Sequence, residues 1–300
     1  MAPSVLAPVT RGRALALVAA APLAGCAGSA HSGLAIGSKN FTEELILGEL
    51  YAQLLEKHGL SVTRKLNLGG TQVAMEALQR GDIDLYPEYT GTALITILKQ
   101  APIADGAEAY DTVKRAYAER FNLVWLTPAP ANNTQALATT QAVSQRYQVR
   151  TLSELSRAAP QLRLGAIPEF TKREDGLPGL QRAYGGFQFK DVKLFDIGLK
   201  YEALHSGNVD VVVAFGTDGQ IAADKLLVFV DDKRFWPAYH VAPVVRKATL
   251  AKFPEIAPAL DGVQPLLSDE VMRNLNEQVD GETKEPADVA RAFLKAHGLV

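Results

Sequence analysis

Apolar positions along this chain alternate between two spacings. Short apolar or alternating runs give way to stripes at i, i+3 and i+4, the pattern of strands followed by helices in an α/β fold. Leu34–Gly37 reads as the first strand, and Leu47, Leu50 and Leu54 form the buried stripe of a helix that Gly59 ends. Asn40 is the expected N-cap of that helix, with Glu43 in its first turn. Residues 61–66 alternate as a second strand, and Leu68-Gly69-Gly70-Thr71 turns into a helix over 72–80. Residues 83–85 make a third strand, stopped by Pro87, which has no N–H to give a ladder. A helix to about residue 99, a helix over 109–120 and a strand over 123–126 follow.

Pro128-Ala129-Pro130 then interrupts the pattern ahead of Asn132-Asn133-Thr134-Gln135, as expected of a crossover into a second lobe. That lobe is read as strands over 136–138, 162–166, 192–195, 209–215 and 228–230, with helices over 152–158, 179–184 and 200–206. A return crossing is expected near 239–245, and from Lys247 onward the signal is helical, with Leu250, Met272, Leu275, Val289, Phe293 and Leu294 facing a core. The chain is thus expected to fold as two α/β lobes joined by two crossings, able to close on a ligand by hinge motion. Lobe 1 comprises residues 34–129 and 243–300, and lobe 2 residues 130–242.

An echo ties the lobes together. Ala77-Leu78-Gln79-Arg80-Gly81-Asp82-Ile83-Asp84-Leu85 matches Ala203-Leu204-His205-Ser206-Gly207-Asn208-Val209-Asp210-Val211 in residue character. Each reads as a helix end, a glycine cap and a strand. At the same offset Tyr89 falls on Phe215, with Thr92 and Thr217 close behind. Any repeated βαβ unit gives part of this echo. In open α/β sheets, however, ligands sit beyond the carboxyl ends of strands, so Tyr86, Glu88, Tyr89 and Thr92 are cleft candidates.

With 300 residues, 47% apolar and 21% charged, the chain can bury full cores. Its net charge of -2 argues against a nucleic-acid partner. No Gly-x-Ser-x-Gly elbow, His-Glu-x-x-His or GxGxxG occurs, and His31, His58, His205, His240 and His297 are scattered, so an enzyme is not expected. Nor is a cofactor or metal expected.

Arg11 and Arg13 precede an apolar run over 14–22, and Leu23-Ala24-Gly25-Cys26 resembles a bacterial lipobox. Residues 1–26 are then a lipoprotein signal, residues 27–33 a tether, and Cys26, the sole cysteine, the lipidated residue of an exported, membrane-anchored protein.

Several spaced motifs carry a resemblance over essentially the whole mature chain. They are Ser38-Lys39-Asn40-Phe41-Thr42-Glu43, the Leu68-Gly69-Gly70-Thr71 turn, Tyr86-Pro87-Glu88-Tyr89-Thr90-Gly91-Thr92, Pro168-Glu169-Phe170 with Arg173 and Asp175-Gly176-Leu177-Pro178, and Phe215-Gly216-Thr217-Asp218. Together they are similar to the substrate-binding proteins of ABC importers for glycine betaine, carnitine and choline. The resemblance implies a type II periplasmic-binding-protein fold that delivers a quaternary ammonium compound to a permease with its ATPase in the cytoplasmic membrane. A quaternary ammonium has no N–H to donate, so a box of aromatic faces suits it. By position Tyr89, Phe215 and Tyr239 correspond to box walls, and Lys39, Thr92 and Arg173, with Glu169 alongside, to the end that receives a carboxylate. The alternatives are that Tyr89 and Phe215 are core aromatics and that Arg173 pairs with Glu169, Glu174 or Asp175.

The chain also departs from the family pattern. Asn133 and Gln135 stand where better-known betaine binders have an acid and a box tyrosine, removing one negative charge and one wall. In this it resembles the low-affinity, OsmF-type branch. The departure implies weaker capture or a larger, more polar ligand that uses the Gln135 amide. An amino acid ligand, or a sensor that does not import, are the other readings.

Overall fold

Two sheets built on one plan hold the molecule together in the computed structural model, which describes residues 1–4 and 33–300. The rest of the signal, Cys26 and the tether up to residue 32 lie outside the described residues. In chain order the elements begin with β1 (Leu34–Gly37), α1 (Thr42–Lys57), β2 (Val62–Lys65), α2 (Thr71–Arg80), β3 (Leu85–Tyr89), α3 (Thr90–Thr92), a π-helical turn Ala93–Ile97, α4 (Gly106–Phe121) and β4 (Leu123–Trp125). They continue with β5 (Gln135–Thr139), α5 (Gln141–Tyr147), α6 (Leu152–Ala158), β6 (Arg163–Ala166), α7 (Leu177–Tyr184), β7 (Asp191–Leu194), α8 (Lys200–His205), β8 (Val211–Phe215), α9 (Gln220–Ala223) and β9 (Leu227–Val228). The chain closes with β10 (Val241–Arg246), α10 (Lys247–Lys252), α11 (Ile256–Asp261), α12 (Asp269–Asp280) and α13 (Pro286–Ala296). Ser32–Val300 forms one unit that contains both sheets.

The first sheet runs β2-β1-β3-β10-β4 and the second β7-β6-β8-β5-β9. They match place by place, since β1 and β6 each pair in parallel with two neighbours while β10 and β5 each run antiparallel between two others. The sequence echo marks this correspondence. Gly81 and Gly207 both take left-handed φ, +80° and +70°, which a glycine adopts without Cβ strain. Asp82 and Ile83 donate backbone N–H groups to Ala77 O, as Asn208 and Val209 do to Ala203 O. The following aspartates repeat a further contact: the Asp84 carboxylate accepts the Ala35 N–H at 2.9 Å and the Asp210 carboxylate the Arg163 N–H at 2.8 Å.

Alternation along each strand supplies a core to both faces. In β10, Val241 and Val245 pack with α1 and the C-terminal helices, including Leu47, Leu50, Met272 and Leu294, while Ala242 and Val244 pack with Leu78, Tyr117 and Trp125. In β5 and β8, Leu137, Val211 and Val213 face Leu152, Leu155 and Leu180, and Ala138, Val212 and Ala214 face Tyr201 and Leu204. The C-terminal helices thus pack on the first sheet as expected, with Leu250 only partly buried.

Three expectations are corrected. Pro87 does not stop its strand: it lies inside β3, directly opposite Pro243 of β10, so the two residues without an N–H face each other. The segment read as a return crossing over 239–245 is mostly β10, a central strand of the first sheet. The chain passes between sheets over 126–134 and 229–240, where Asn132 and His240 form an antiparallel bridge. Asn40 is not the cap of α1; Phe41 holds that place and makes no side-chain cap bond. The short helices α5 and α9 have no counterpart in the sequence reading.

Candidate functional site

Because the sheets share a plan, their strand ends converge on one cavity of ≈ 200 Å³. The parallel strands deliver residues from their carboxyl ends: Lys39, Asn40 and Phe41 after β1, Gly70 and Thr71 after β2, Tyr89 and Thr92 at and after β3, Ile167 to Phe170 and Arg173 after β6, Phe195 to Ile197 after β7, and Phe215 at the end of β8. The antiparallel strands deliver their amino ends, Gln135 of β5 and Tyr239 just before β10. Lys39, Tyr89, Thr92, Asn133, Gln135, Glu169, Arg173, Phe215 and Tyr239 therefore line the same space, whereas the cleft candidates Tyr86 and Glu88 are fully buried behind it and do not. Phe41, Phe170 and Phe195 line it too and were not singled out in the sequence. These rings share the lining with Gln135.

Both tyrosine rings are held by their hydroxyls. Tyr239 donates its O–H to the Asp175 carboxylate, and Tyr89 donates to Glu43 Oε1 at 2.6 Å. Gly91 lets Tyr239 lie where it does, because a Cβ there would stand 2.6 Å from the ring carbons Cδ1 and Cε1. Because its hydroxyl is bonded to Asp175, the ring cannot move aside without disturbing that bond. Gly91→Ala is expected to cost about 1–3 kcal/mol of stability through this overlap, read as a lowered midpoint in thermal unfolding.

Asp175 is a hub. Its buried carboxylate receives both Arg173 Nε, at 2.7 Å, and Arg173 Nη2, and its backbone carbonyl receives Gln135 Nε2 at 3.1 Å and Trp236 Nε1 at 2.8 Å. Of the alternatives for Arg173, the ion pair in place is that with Asp175, and the residue still lines the cavity. Lys39 is likewise engaged: its ammonium, 3% exposed as a residue, lies 2.7 Å from Glu88 Oε1, 3.5 Å from Glu44 Oε1 and 4.6 Å from the centroid of the Tyr89 ring. Lys200 repeats this behind the other wall, 4.7 Å from the Phe215 centroid and 3.0 Å from Asp218 Oδ2.

Glu43 departs most from its sequence reading. Read in the sequence only as a first-turn acid beside an N-cap, it is 3% exposed and accepts from Tyr89, from Asn133 Nδ2 at 2.9 Å, from Asn276 Nδ2 at 3.0 Å and from Thr217 Oγ1. Burial raises its pKa above the ordinary value, against those four hydrogen bonds. A carboxyl group thus stands one side chain back from position 133, bonded to Asn133 itself. No local signal in the sequence marks it, since its partners lie 46 to 233 positions away.

Chemically, the lining offers aromatic faces, three amides, an ammonium, a guanidinium and the exposed carboxylates of Glu169 and Asp196, and no metal-binding group of His, Cys, Asp or Glu occurs among the described residues.

Comparison with known proteins fits this construction. Residues 33–296 match the model of the substrate-binding domain of the ABC-type glycine betaine transport system. The ergothioneine transport permease/ergothioneine-binding protein EgtU of Helicobacter pylori is 38% identical over 267 residues, 89% of this chain; the chain spans only 48% of that protein's length. A glycine-betaine-binding protein of Pseudomonas aeruginosa is 37% identical over 92% of this chain and 93% of its own. A crystal structure of a glycine betaine/carnitine/choline ABC transporter superposes with a TM-score of 0.74 at 33% identity, covering 89% of this chain and 99% of that one.

Proposed function

This chain belongs to the family of substrate-binding domains of ABC-type glycine betaine transport systems, and from that premise we propose that its cavity captures a quaternary ammonium betaine and hands it to a membrane permease. The observation that carries the proposal is the convergence of Tyr89 and Tyr239 from the first sheet's side with Phe215 from the second on one cavity. Each aromatic face contributes roughly 0.5–2 kcal/mol toward a cation that cannot hydrogen-bond. Arg173 and Thr92 receive the carboxylate, with Lys39 alongside, its ammonium shared with Glu88. The two sheets close around the solute because the enclosed form binds it more tightly. The protein acts outside the cytoplasm, exported by residues 1–26 and anchored through a lipid on Cys26, with a permease and its ATPase as partners.

A second reading concerns ligand size. Asn133 and Gln135 place amides where a smaller betaine needs only a ring and a charge, and the relative from Helicobacter pylori carries ergothioneine in its name. A larger betaine bearing a polar ring, such as ergothioneine, would use those amides.

Calorimetry of the mature protein against glycine betaine, choline, carnitine, ergothioneine and proline tests both readings. Quaternary compounds are expected to bind and proline to bind weakly or not at all, with the ranking of ergothioneine against glycine betaine deciding between the two. Tightest binding by proline would overturn the cation box. In the same assay Tyr239→Ala is expected to lose at least about 1 kcal/mol toward a trimethylammonium ligand, and unchanged affinity would remove that wall.

A further inference from the structure

Five buried or half-buried carboxylates, Glu43, Glu44, Glu88, Asp175 and Asp218, stand just behind the cavity wall, together with three cations, Lys39, Arg173 and Lys200, while the two carboxylates that line the cavity directly, Glu169 and Asp196, are exposed to solvent. Four of the carboxylates have a cation: Glu44 and Glu88 share Lys39, Asp175 has Arg173, and Asp218 has Lys200. Among the described residues Glu43 has none within 4.0 Å. Its four hydrogen bonds come from neutral donors, and two of those donors, Tyr89 and Asn133, line the cavity.

We infer that Glu43 is the counter-charge to the ligand's ammonium, a positioning and selectivity residue that acts through Tyr89 and Asn133 rather than by contact. The inference rests on the proposal that the cavity takes a quaternary ammonium, and it adds which carboxylate balances that charge. A buried charge without a partner is costly, and a cation placed nearby in a poorly screened interior offsets that cost. The route runs through the wall itself: a phenol that donates to a carboxylate gains electron density over its ring, deepening the negative face that a cation meets. Thr217 follows β8 of the second sheet, so Glu43 is fully hydrogen-bonded only when both sheets stand as they do here. The other charges facing Glu43 are Glu44 on α1, Asp218 with Lys200 on the second sheet's side, and Asp280 on α12. The Lys39 ammonium lies over the Tyr89 ring itself, 4.6 Å from its centroid, but is engaged by Glu88 at 2.7 Å and Glu44 at 3.5 Å rather than by Glu43.

The test compares glycine betaine with tert-butylacetate, the same shape with carbon in place of the charged nitrogen. Glu43→Gln keeps the size and removes the charge; it is expected to weaken glycine betaine binding on the order of tenfold while leaving tert-butylacetate unchanged or slightly tighter. Glu43→Asp keeps the charge and is expected to retain the preference for glycine betaine even where both affinities fall. Equal losses for the two ligands in Glu43→Gln, or no loss for either, overturn the inference. In the unmodified protein, NMR of the labelled Glu43 carboxyl carbon is expected to show its titration midpoint lowered by glycine betaine and not by tert-butylacetate. An unmoved midpoint overturns the inference whether or not the variant folds. Failure of the unmodified protein to bind any quaternary compound would instead sink the proposed function.

Discussion

Asp175→Ala is expected to lose about 3–5 kcal/mol of folding stability, because it leaves the Arg173 guanidinium inside the protein without the carboxylate it was buried with. The same change strands the Tyr239 hydroxyl, which sits in a residue only 2% exposed. For a protein of this size the loss lowers the thermal midpoint by roughly 6–20 °C. Stability and binding separate in a double variant. Arg173→Met with Asp175→Leu removes both charges and is expected to recover most of the lost midpoint, since replacing a buried pair by apolar groups is often close to neutral. It is not expected to recover affinity for a carboxylate-bearing ligand, because Arg173 is the proposed partner of that group. A double variant that binds glycine betaine normally would remove Arg173 from the site; a single variant as stable as the unmodified protein would show that the pair is solvated in solution.

Glu44→Gln is expected to change how stability depends on pH. Burial, offset in part by Lys39 and reinforced by Glu88, pushes the Glu44 carboxyl from its ordinary value of 4.5 up to about 8. Between those values the folded protein holds a proton at Glu44 that the unfolded chain has released. Raising the pH through this window therefore favours unfolding, with a slope of up to about 1.4 kcal/mol per pH unit from this group. Below the ordinary value both states are protonated, above about 8 both are ionised, and the contribution is level at each end. Glutamine carries no titrating proton and keeps an acceptor for the Lys39 N–H that Glu44 Oε2 now receives at 2.9 Å. The variant should match the unmodified protein near pH 4.5 and exceed it increasingly up to pH 8. Parallel curves from denaturant unfolding across that range would show that Glu44 is ionised in the folded protein throughout.

What the sequence shows of this fold depends on how local each signal is. The paired glycines, Gly81 and Gly207, impose one backbone turn each, and reading them led to the shared plan of the two sheets and to the equivalence of Tyr89 with Phe215. Pro87 misled for the opposite reason. A proline rules out a donated ladder bond, but its effect on a strand depends on what stands opposite, and here that is Pro243 from a strand more than a hundred residues later. The central strand β10 was likewise hidden, because Pro243 in its middle looks like a loop. At the site, residues that face the cavity from strand ends were accessible from their positions. The groups behind them were not: Glu43 reads as an ordinary first-turn acid until Asn133, Thr217 and Asn276 are brought to it by tertiary folding.

The most direct measurement is a crystal structure of the mature protein with glycine betaine bound. The account predicts the quaternary nitrogen in the cavity between the sheets, within about 6 Å of the ring centroids of Tyr89, Phe215 and Tyr239, with the carboxylate toward Arg173. A ligand seated elsewhere, or a nitrogen that meets rings from one sheet's side alone, would contradict it.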